Sequence, residues 1–448
     1  MTDRHRKRML PSTTRRSSRC SWPIHEMTAT RSTSTTCGLW TATRTTRRPT
    51  TVFWTLQTKK WNRGVCHHYR VMAPFFVVLF SLIAGRNWAA PYTPSSNDQV
   101  LARLSPAEQA LQQSSPMKNQ ANATAQARQL IDEARLREDS RFLGYAQATL
   151  KPFLTPTNSA ATQLLMAEIE QYQHHFSLAR SRLNRLLEQR PDEGQAWLML
   201  ANLDRVQGHF TSSRQACQQA ATSLPATSVI LCLSGIQAIT GNLDKAEQTL
   251  TRLANSDQLS MTDDERQWLY TLLTEIAVQQ GDNALALTHV QQALQIAPQS
   301  PYLRYLQSDI WLMQGANAKV IADLLDWQDR DNALLRLAIA AKRSQHSEAS
   351  NWRNAYQQRV DMAQQSQRPI HHREHARFLL SVTEQADEAL EAARANWETQ
   401  RELSDLRILL ASAALSENEK SLDDAYRFIQ RHNINDAPSQ HWNERATR

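Results

Sequence analysis

Glycine, cysteine and long apolar runs are all scarce in this chain. It has only 10 glycines and 5 cysteines in 448 residues, and no run of β-branched residues follows residue 92. Its apolar run from Ala73 to Gly85 spans 13 residues, which is short for a membrane helix of about 20 residues. The sequence also has no glycine-rich phosphate loop, nucleophile elbow or paired-carboxylate pattern. Sheet folds and the enzyme classes that use these motifs are therefore disfavoured.

Alanine, leucine and glutamine are abundant instead, and these residues favour helices. In the 34 residues after Pro191 the apolar residues recur at helical spacing up to about Arg205, and Gly208 then allows a turn. A second helical stretch ends before Pro225. Two helices in 34 residues, with small and aromatic residues in this order, resemble one tetratricopeptide (TPR) repeat.

The same turn and boundary residues recur on both sides of that stretch. Prolines at 156, 191, 225 and 298 are separated by 35, 34 and 73 residues, and glycines at 208, 241, 281 and 315 by 33, 40 and 34. Glycine suits such turns because it adopts positive φ without penalty. We therefore predict an all-α fold, a right-handed α-α superhelix of about six recognisable repeats over 121–330. Degenerate helical repeats and a cap should follow over 331–432, and a frayed tail over 433–448.

The positive charge is concentrated at the N-terminus. Residues 1–71 carry 15 Lys and Arg against 2 acids, whereas residues 72–448 carry 36 against 41. The predicted repeats are thus net acidic, and we expect no nucleic-acid partner for them. Residues 1–71 lack any helical or strand period, so we predict a disordered basic head. A translated upstream region outside the real protein, a disordered tail and a targeting or nucleic-acid-binding arm remain open.

The segment 72–90 has the pattern of an export signal. Its apolar run over 73–85 is followed by small residues at Ala89 and Ala90. We predict a cleaved signal peptide, with an uncleaved N-terminal anchor as the alternative, and a flexible lead-in over 91–120. The protein would then be periplasmic or secreted, or anchored in the inner membrane if the apolar run is retained.

Several motifs extend the resemblance beyond the general repeat. The chain resembles a family of exported bacterial TPR proteins in FLGYAQATL at 142–150, AWLMLANLDRVQGHF at 196–210, the pair Cys217 and Cys232, REHARFLL at 373–380 and ARANWETQRELSD at 393–405. The resemblance implies an exported helical scaffold without an established activity. His375 and Leu403 depart from the family pattern, which would have an acid and a proline there.

Cys217 and Cys232 are predicted to lie on helices of adjacent repeats. The first falls on the second helix of the repeat after Pro191, and the second on the first helix of the next. Such helices pack together in a TPR array, so in an oxidising compartment a disulfide is possible, with two buried thiols as the alternative.

Residues 371–375 satisfy the pattern H-x-x-E-H of inverted zinc peptidases. On a helix His371 and His375 would lie one turn apart and could share a metal, with Glu374 as a base. A charged, solvated first turn of a helix is the alternative, and we expect neither a metal nor a cofactor.

The concave face of a TPR array is formed by first-helix side chains that stay out of the core. Amides and charges beside aromatics suit binding of a peptide. The predicted groove residues are Glu168, Gln171, Tyr172, Gln195, Asn202, Arg205, Trp268, Glu275, Tyr302, Tyr305 and Asp309. We therefore predict a non-enzymatic protein-interaction scaffold in the bacterial cell envelope that binds a peptide or protein segment. A membrane-tethered assembly factor and a zinc enzyme are the alternatives.

Overall fold

The structure, a computed structural model, describes residues 119–154, 159–256, 259–366 and 371–446. All of them belong to one compact unit, Leu104–Arg448. The predicted basic head, the apolar run at 73–85 and nearly all of the lead-in lie outside the described residues. Where the chain is described, it is helical and contains no strand.

The described residues form nineteen α-helices, which we number in chain order. The first ten are α1 (Gln120–Arg137), α2 (Arg141–Leu150), α3 (Ala160–Tyr172), α4 (Phe176–Gln189), α5 (Gly194–Val206), α6 (Phe210–Ala220), α7 (Ala226–Ile239), α8 (Leu243–Ala254), α9 (Asp263–Gln280) and α10 (Asn283–Ile296). The rest are α11 (Pro301–Met313), α12 (Asn317–Leu324), α13 (Asp331–Ser344), α14 (Ala349–Gln365), α15 (His372–Phe378), α16 (Ala386–Trp397), α17 (Leu403–Leu415), α18 (Glu419–His432) and α19 (Ala437–Ala446). Short 3-10 turns follow α2 and α12, and a π turn over Leu379–Thr383 follows α15.

Successive helices pack as antiparallel pairs, so α1 to α18 form nine repeats and α19 is a cap. The predicted turn glycines lie between the two helices of repeats three to six, and Gly208, Gly241, Gly281 and Gly315 have φ of 77°, 80°, 81° and 72°. A side chain at such φ is strained, which explains why glycine marks these turns. The all-α superhelical repeat fold predicted from the sequence is confirmed.

Local sequence accounts for the start of α9 after the link from α8. The segment before α9 ends at Thr262, whose hydroxyl accepts a hydrogen bond from the Glu265 amide, while the Glu265 carboxylate accepts one from the Thr262 amide. This capping box satisfies two helix-terminal donors and starts the helix at Asp263. The link between α8 and α9, which lengthens the spacing of the turn glycines there, thus ends in a helix start signal.

Repeats six positions apart lie against one another. The turn of the first repeat contacts the start of the seventh, because Asn332 donates to Glu138 at 2.6 Å and Arg330 donates to the Leu136 carbonyl at 3.1 Å. The turn of the third repeat contacts the start of the ninth, where the Arg401 amide donates to the Val206 carbonyl at 2.7 Å.

Two further turns follow the same register. The His174 ring of the second repeat lies 5.9 Å from the His371 ring at the start of the eighth. Gly241 of the fourth lies so close to Asn433, just before the cap, that an added Cβ would overlap its backbone and side chain. One superhelical turn therefore takes six repeats, and the next turn stacks on it.

The stacking shares one hydrophobic core between distant repeats. A single cluster joins Phe176 of the second repeat and Leu200 of the third to Leu390 of the eighth and to Leu406 and Phe428 of the ninth. Buried apolar area is the main favourable term in folding. The C-terminal repeats are thus integral to the fold.

The tail differs from the predicted frayed segment over 433–448. Residues Ala437–Ala446 form α19, and Asp436 before it is only 2% exposed. Its carboxylate pairs with Arg407 at 2.5 Å and accepts from the Ser439 hydroxyl at 2.5 Å. This helix packs on α17 and α9, and no local sequence pattern predicts those contacts.

None of the helices in the described part of the chain combines the length and apolar character needed to cross a membrane.

Candidate binding pocket on the concave face

A pocket lies on the concave face of the described repeats. It has a volume of about 340 Å³ and is formed by the first helices of repeats three to six, α5, α7, α9 and α11, together with Ser213 of α6. Its apolar wall includes Leu198, Leu231, Ile236, Ile239 and Leu272. Cavities of roughly this size, apolar with a few placed polar groups, are typical ligand sites.

The polar end of the pocket holds a carboxylate, a guanidinium and a phenol. Tyr302 donates its hydroxyl to Glu275 Oε1 at 2.6 Å. Arg205 donates to Asn202 at 3.1 Å and pairs with Glu402 at 3.2 Å. Glu402 lies just before α17 of the ninth repeat, so the stacked superhelical turn contributes one edge of the site.

Burial shifts the pKa values of these groups. The pKa of Glu275 is raised by burial, although Arg205 and the Tyr302 hydroxyl oppose the shift. The charge of Glu275 and the hydrogen bond to it raise the pKa of Tyr302 well above its ordinary value. Burial lowers the pKa of Arg205, but Glu402 and Glu275 outweigh it, so this pKa is raised. Arg205 thus has Glu402 as its partner, whereas the surroundings of Glu275 disfavour its negative charge.

An ion network ties the pocket edge to the eighth and ninth repeats. Arg373 lies 3.1 Å from Glu374, 3.2 Å from Glu402 and 3.4 Å from Asp405. Burial raises the pKa of Asp405 to about 6. Burial also favours a higher pKa for Glu402, but Arg205 and Arg373 hold it below its ordinary value. The network fixes the start of α17 over the concave face.

Five predicted groove residues meet in this pocket. Asn202, Arg205, Trp268, Glu275 and Tyr302 all line it, although they come from three different repeats. Trp268 is half-buried against two hydrophobic clusters, whereas Tyr302 is 56% exposed. Repeat register predicts these residues on one face, and the structure brings them together.

Four other predicted residues lie outside the pocket. Glu168 pairs with Arg128 at 2.9 Å and with Arg135, and Tyr172 accepts a hydrogen bond from Arg135, whose guanidinium lies 5.0 Å from its ring centre. These contacts join the first helices of repeats one and two. Gln171 is half-buried and Gln195 is exposed, and neither lines the pocket.

Tyr305 and Asp309 are structural in this fold. Tyr305 is 6% exposed and donates its hydroxyl to Glu138. Asp309 lies between Arg336 and Arg377, each at 2.6 Å. Both were predicted as groove residues because they have the right repeat register, but the seventh and eighth repeats cover that part of the face.

The pocket lining also includes residues outside the predicted groove set. Leu198 and Ile239 line its apolar wall, and Glu402 pairs with Arg205 at its edge without lining it. Glu402 reaches Arg205 across 197 positions, a contact that follows from the six-repeat register and from no local pattern. Counting first-helix positions six repeats apart could have suggested it.

Cys217 of α6 and Cys232 of α7 are bonded in the structure, with their Cα atoms 5.8 Å apart. The disulfide joins the third and fourth repeats, and Cys232 also lines the pocket. It therefore ties α7, which supplies part of the apolar wall, to α6 of the preceding repeat.

The three residues of the zinc motif do not converge. His371 lies beside His174, Glu374 accepts a hydrogen bond from Arg373 at 3.1 Å, and His375 has a buried Nδ1 with no hydrogen-bond partner among the described residues. In the part of the chain that the structure describes, no three His, Cys, Asp or Glu side chains are grouped closely enough to hold a metal ion.

No family model matches the chain, and no curated protein matches it in sequence. Among solved structures it is similar to a tetratricopeptide repeat protein from Parabacteroides merdae, at 11% identity and a TM-score of 0.33, over 65% of this chain and 98% of that one. It is also similar to a Rap protein complexed with Competence and Sporulation Factor, at 15% identity and a TM-score of 0.40, over 75% and 91%. A third is the human IFIT1 dimer with m7Gppp-AAAA, at 13% identity and a TM-score of 0.39, over 68% and 79%.

These similarities concern the arrangement of helices and assign no ligand to this chain. The helix pairs, their period and their turn glycines make the described part a TPR-like array. The resemblance to an exported bacterial family stays a prediction.

Proposed function

We propose that this protein is a non-enzymatic protein-interaction scaffold of the bacterial cell envelope, and that its concave pocket receives a segment of a partner protein. The observation that carries the proposal is the pocket itself, where Arg205, Glu275 and Tyr302 stand beside an apolar wall. Apolar area supplies affinity in such sites, and a few polar groups fix the register of the bound segment.

The rigidity of the pocket supports a binding role. Four first helices form it, a disulfide joins two of its repeats, and the ninth repeat braces its edge. A preformed site loses less entropy on binding than a flexible one. The net acidic charge of residues 72–448 disfavours nucleic acid as the partner.

Site-specific photocrosslinking in the host cell tests this function. A photoreactive amino acid at Ile239, in the pocket wall, should crosslink to a defined protein, whereas the same group at Met362, which is 60% exposed on α14, should not give that product. The bound segment is then mapped by mass spectrometry. Equal products from both sites, or none from Ile239, would remove the support for a binding pocket.

The envelope location rests on the apolar run at 73–85 and the small residues after it. N-terminal sequencing of the protein purified from the envelope fraction should find a start soon after Ala90. A protein that retains the run would be tethered to the membrane. Recovery of the protein only from the cytoplasmic fraction would exclude both envelope locations.

A further inference from the structure

The pocket contains an unmatched acid. Glu275 accepts a hydrogen bond from Tyr302, and among the described residues no cation lies within 4 Å of it. Arg205 and Arg407 are near enough to interact with its charge, but Arg205 is already paired with Glu402 and Arg407 with Asp436. A half-buried carboxylate with one neutral donor is an unfavourable arrangement that a bound cation would relieve.

The surrounding charges favour the same kind of ligand. The network around the polar end has three cations, Arg205, Arg373 and Arg407. It has five acids, Glu275, Glu374, Glu402, Asp405 and Asp436. An anionic ligand would be repelled by this excess of acids. The cation that lines the pocket, Arg205, is already paired with Glu402. A purely apolar ligand would further desolvate Glu275 without giving it a partner.

The remaining wall suits a long alkyl stem. Trp268, Ile239 and Leu198 line the pocket beside Glu275, and the exposed face of Tyr302 borders it. Lys and Arg side chains bury their methylene groups on apolar surface while the charged head reaches a polar group, and both pack favourably on aromatic rings.

We propose that the pocket recognises a single arginine or lysine side chain of the partner, with the cation on Glu275 and the stem along Trp268 and Ile239. This inference rests on the proposed function and names the residue type that the partner presents. It makes Glu275 the specificity-determining residue and the apolar wall a support for the stem.

Small probes test the chemistry directly on the full chain. N-acetyl-L-argininamide and N-acetyl-L-lysinamide carry one side-chain cation each, and N-acetyl-L-citrullinamide is a neutral analogue of the first. Saturation-transfer NMR titration should show binding of at least one cationic probe and at least tenfold weaker binding of citrullinamide. Raising the NaCl concentration from 50 to 500 mM should weaken binding of the cationic probe. Equal affinity for the cationic and neutral probes would overturn the proposal.

Two variants assign the effect to Glu275. Glu275→Gln keeps the side-chain size and an acceptor for the Tyr302 hydroxyl. It should lower the affinity for the cationic probe at least tenfold. Glu247→Gln on α8 removes the same charge outside the pocket lining and should leave the affinity unchanged. An equal loss in both variants, or none in Glu275→Gln, contradicts the assignment.

Tyr302→Phe tests whether weaker binding to Glu275→Gln comes from the lost charge or from a disturbed pocket. It removes the donor to Glu275 and leaves the carboxylate in greater need of a cation, so the probe should bind at least as tightly as to the wild type. Tenfold weaker binding to a folded Tyr302→Phe protein would refute a site centred on Glu275.

Crosslinking separates this inference from the proposed function. If Ile239 captures a partner in the wild type and equally in Glu275→Gln, the pocket binds a protein but not through a basic side chain. If the wild type captures none, the proposed function fails, and the probe titration still reports the chemistry of the pocket.

Discussion

Asp309 gives the sharpest test of how the repeats are held together. Its carboxylate lies 2.6 Å from Arg336 and 2.6 Å from Arg377, and so joins the sixth repeat to the seventh and eighth. Burial raises its pKa, but the two arginines outweigh this and lower it to about 2. Asp309→Asn removes the charge and leaves two guanidinium groups facing each other, one of them with a side chain only 10% exposed.

The expected cost is large for a single substitution. Removing one partner of a buried ion pair typically costs about 3 to 5 kcal/mol, because the remaining charge stays desolvated. We expect Asp309→Asn to lower the free energy of unfolding by this amount at pH 7. Urea unfolding, followed by circular dichroism and tryptophan fluorescence, measures it.

Asp323→Asn is the matched control in the same repeat. Asp323 lies 3.5 Å from Arg304, and burial raises its pKa, so its surroundings disfavour the charge. Its substitution should change the unfolding free energy by less than about 0.5 kcal/mol. Equal costs for the two variants would refute the structural role of Asp309.

The comparison of wild type with Asp309→Asn also predicts a pH dependence of defined sign. Because the pKa of Asp309 in the folded state, about 2, lies below its unfolded value of about 4, its stabilisation is present above pH 4 and is lost as pH falls toward 2. The difference in unfolding free energy between wild type and Asp309→Asn should shrink as the pH falls from 4 to 2. A difference that stays constant down to pH 2 would contradict the ion-pair explanation.

Two further predictions concern the pocket edge and its wall. The folded-state pKa of Asp405, about 6, lies above its unfolded value of about 4, so its contribution to stability falls as pH rises from 4 to 6. Urea midpoints of Asp405→Asn should lack that part of the wild-type pH profile, and an unchanged profile would count against it. Reduction of the Cys217–Cys232 disulfide, which spans 15 residues, should lower the unfolding free energy by about 3 kcal/mol. Unfolding with and without a reductant measures this loss, and equal midpoints would show that the bond does not form.

The repeat array was predictable because it depends on short-range signals. Prolines and turn glycines set the period, and the glycines at 208, 241, 281 and 315 lie in the expected turns with positive φ. Each repeat packs on its neighbour in sequence, so a period of about 34 residues is sufficient to predict the fold class.

The stacking of superhelical turns was not predictable in the same way. The contacts of Glu138 with Asn332 and of Arg205 with Glu402 join positions 194 and 197 residues apart. The superhelical pitch decides them, and pitch depends on small rotations summed over six repeats. Tyr305 and Asp309 were therefore predicted in an open groove that later repeats cover, and the helix of the tail was missed.

The pocket was predictable in part. Repeat register places Asn202, Arg205, Trp268, Glu275 and Tyr302 on one face, and all five line it. Glu402, a residue of the second superhelical turn, pairs with Arg205, and this pairing leaves Glu275 without an ion-pair partner. The sequence therefore predicts the face, and the stacked repeats decide its chemistry.

The stacking itself is tested most directly by one pair of glycine substitutions. Gly241 and Gly315 both lie in repeat turns, with φ of 80° and 72°, so alanine carries a similar backbone cost at each. A Cβ at Gly241 would clash with Asn433, whereas a Cβ at Gly315 meets no atom within 4 Å. We predict that Gly241→Ala lowers the unfolding free energy by about 1 to 3 kcal/mol more than Gly315→Ala does, as overpacking requires. Equal losses would mean that the C-terminal segment does not lie on the fourth repeat, and would contradict the stacked superhelix.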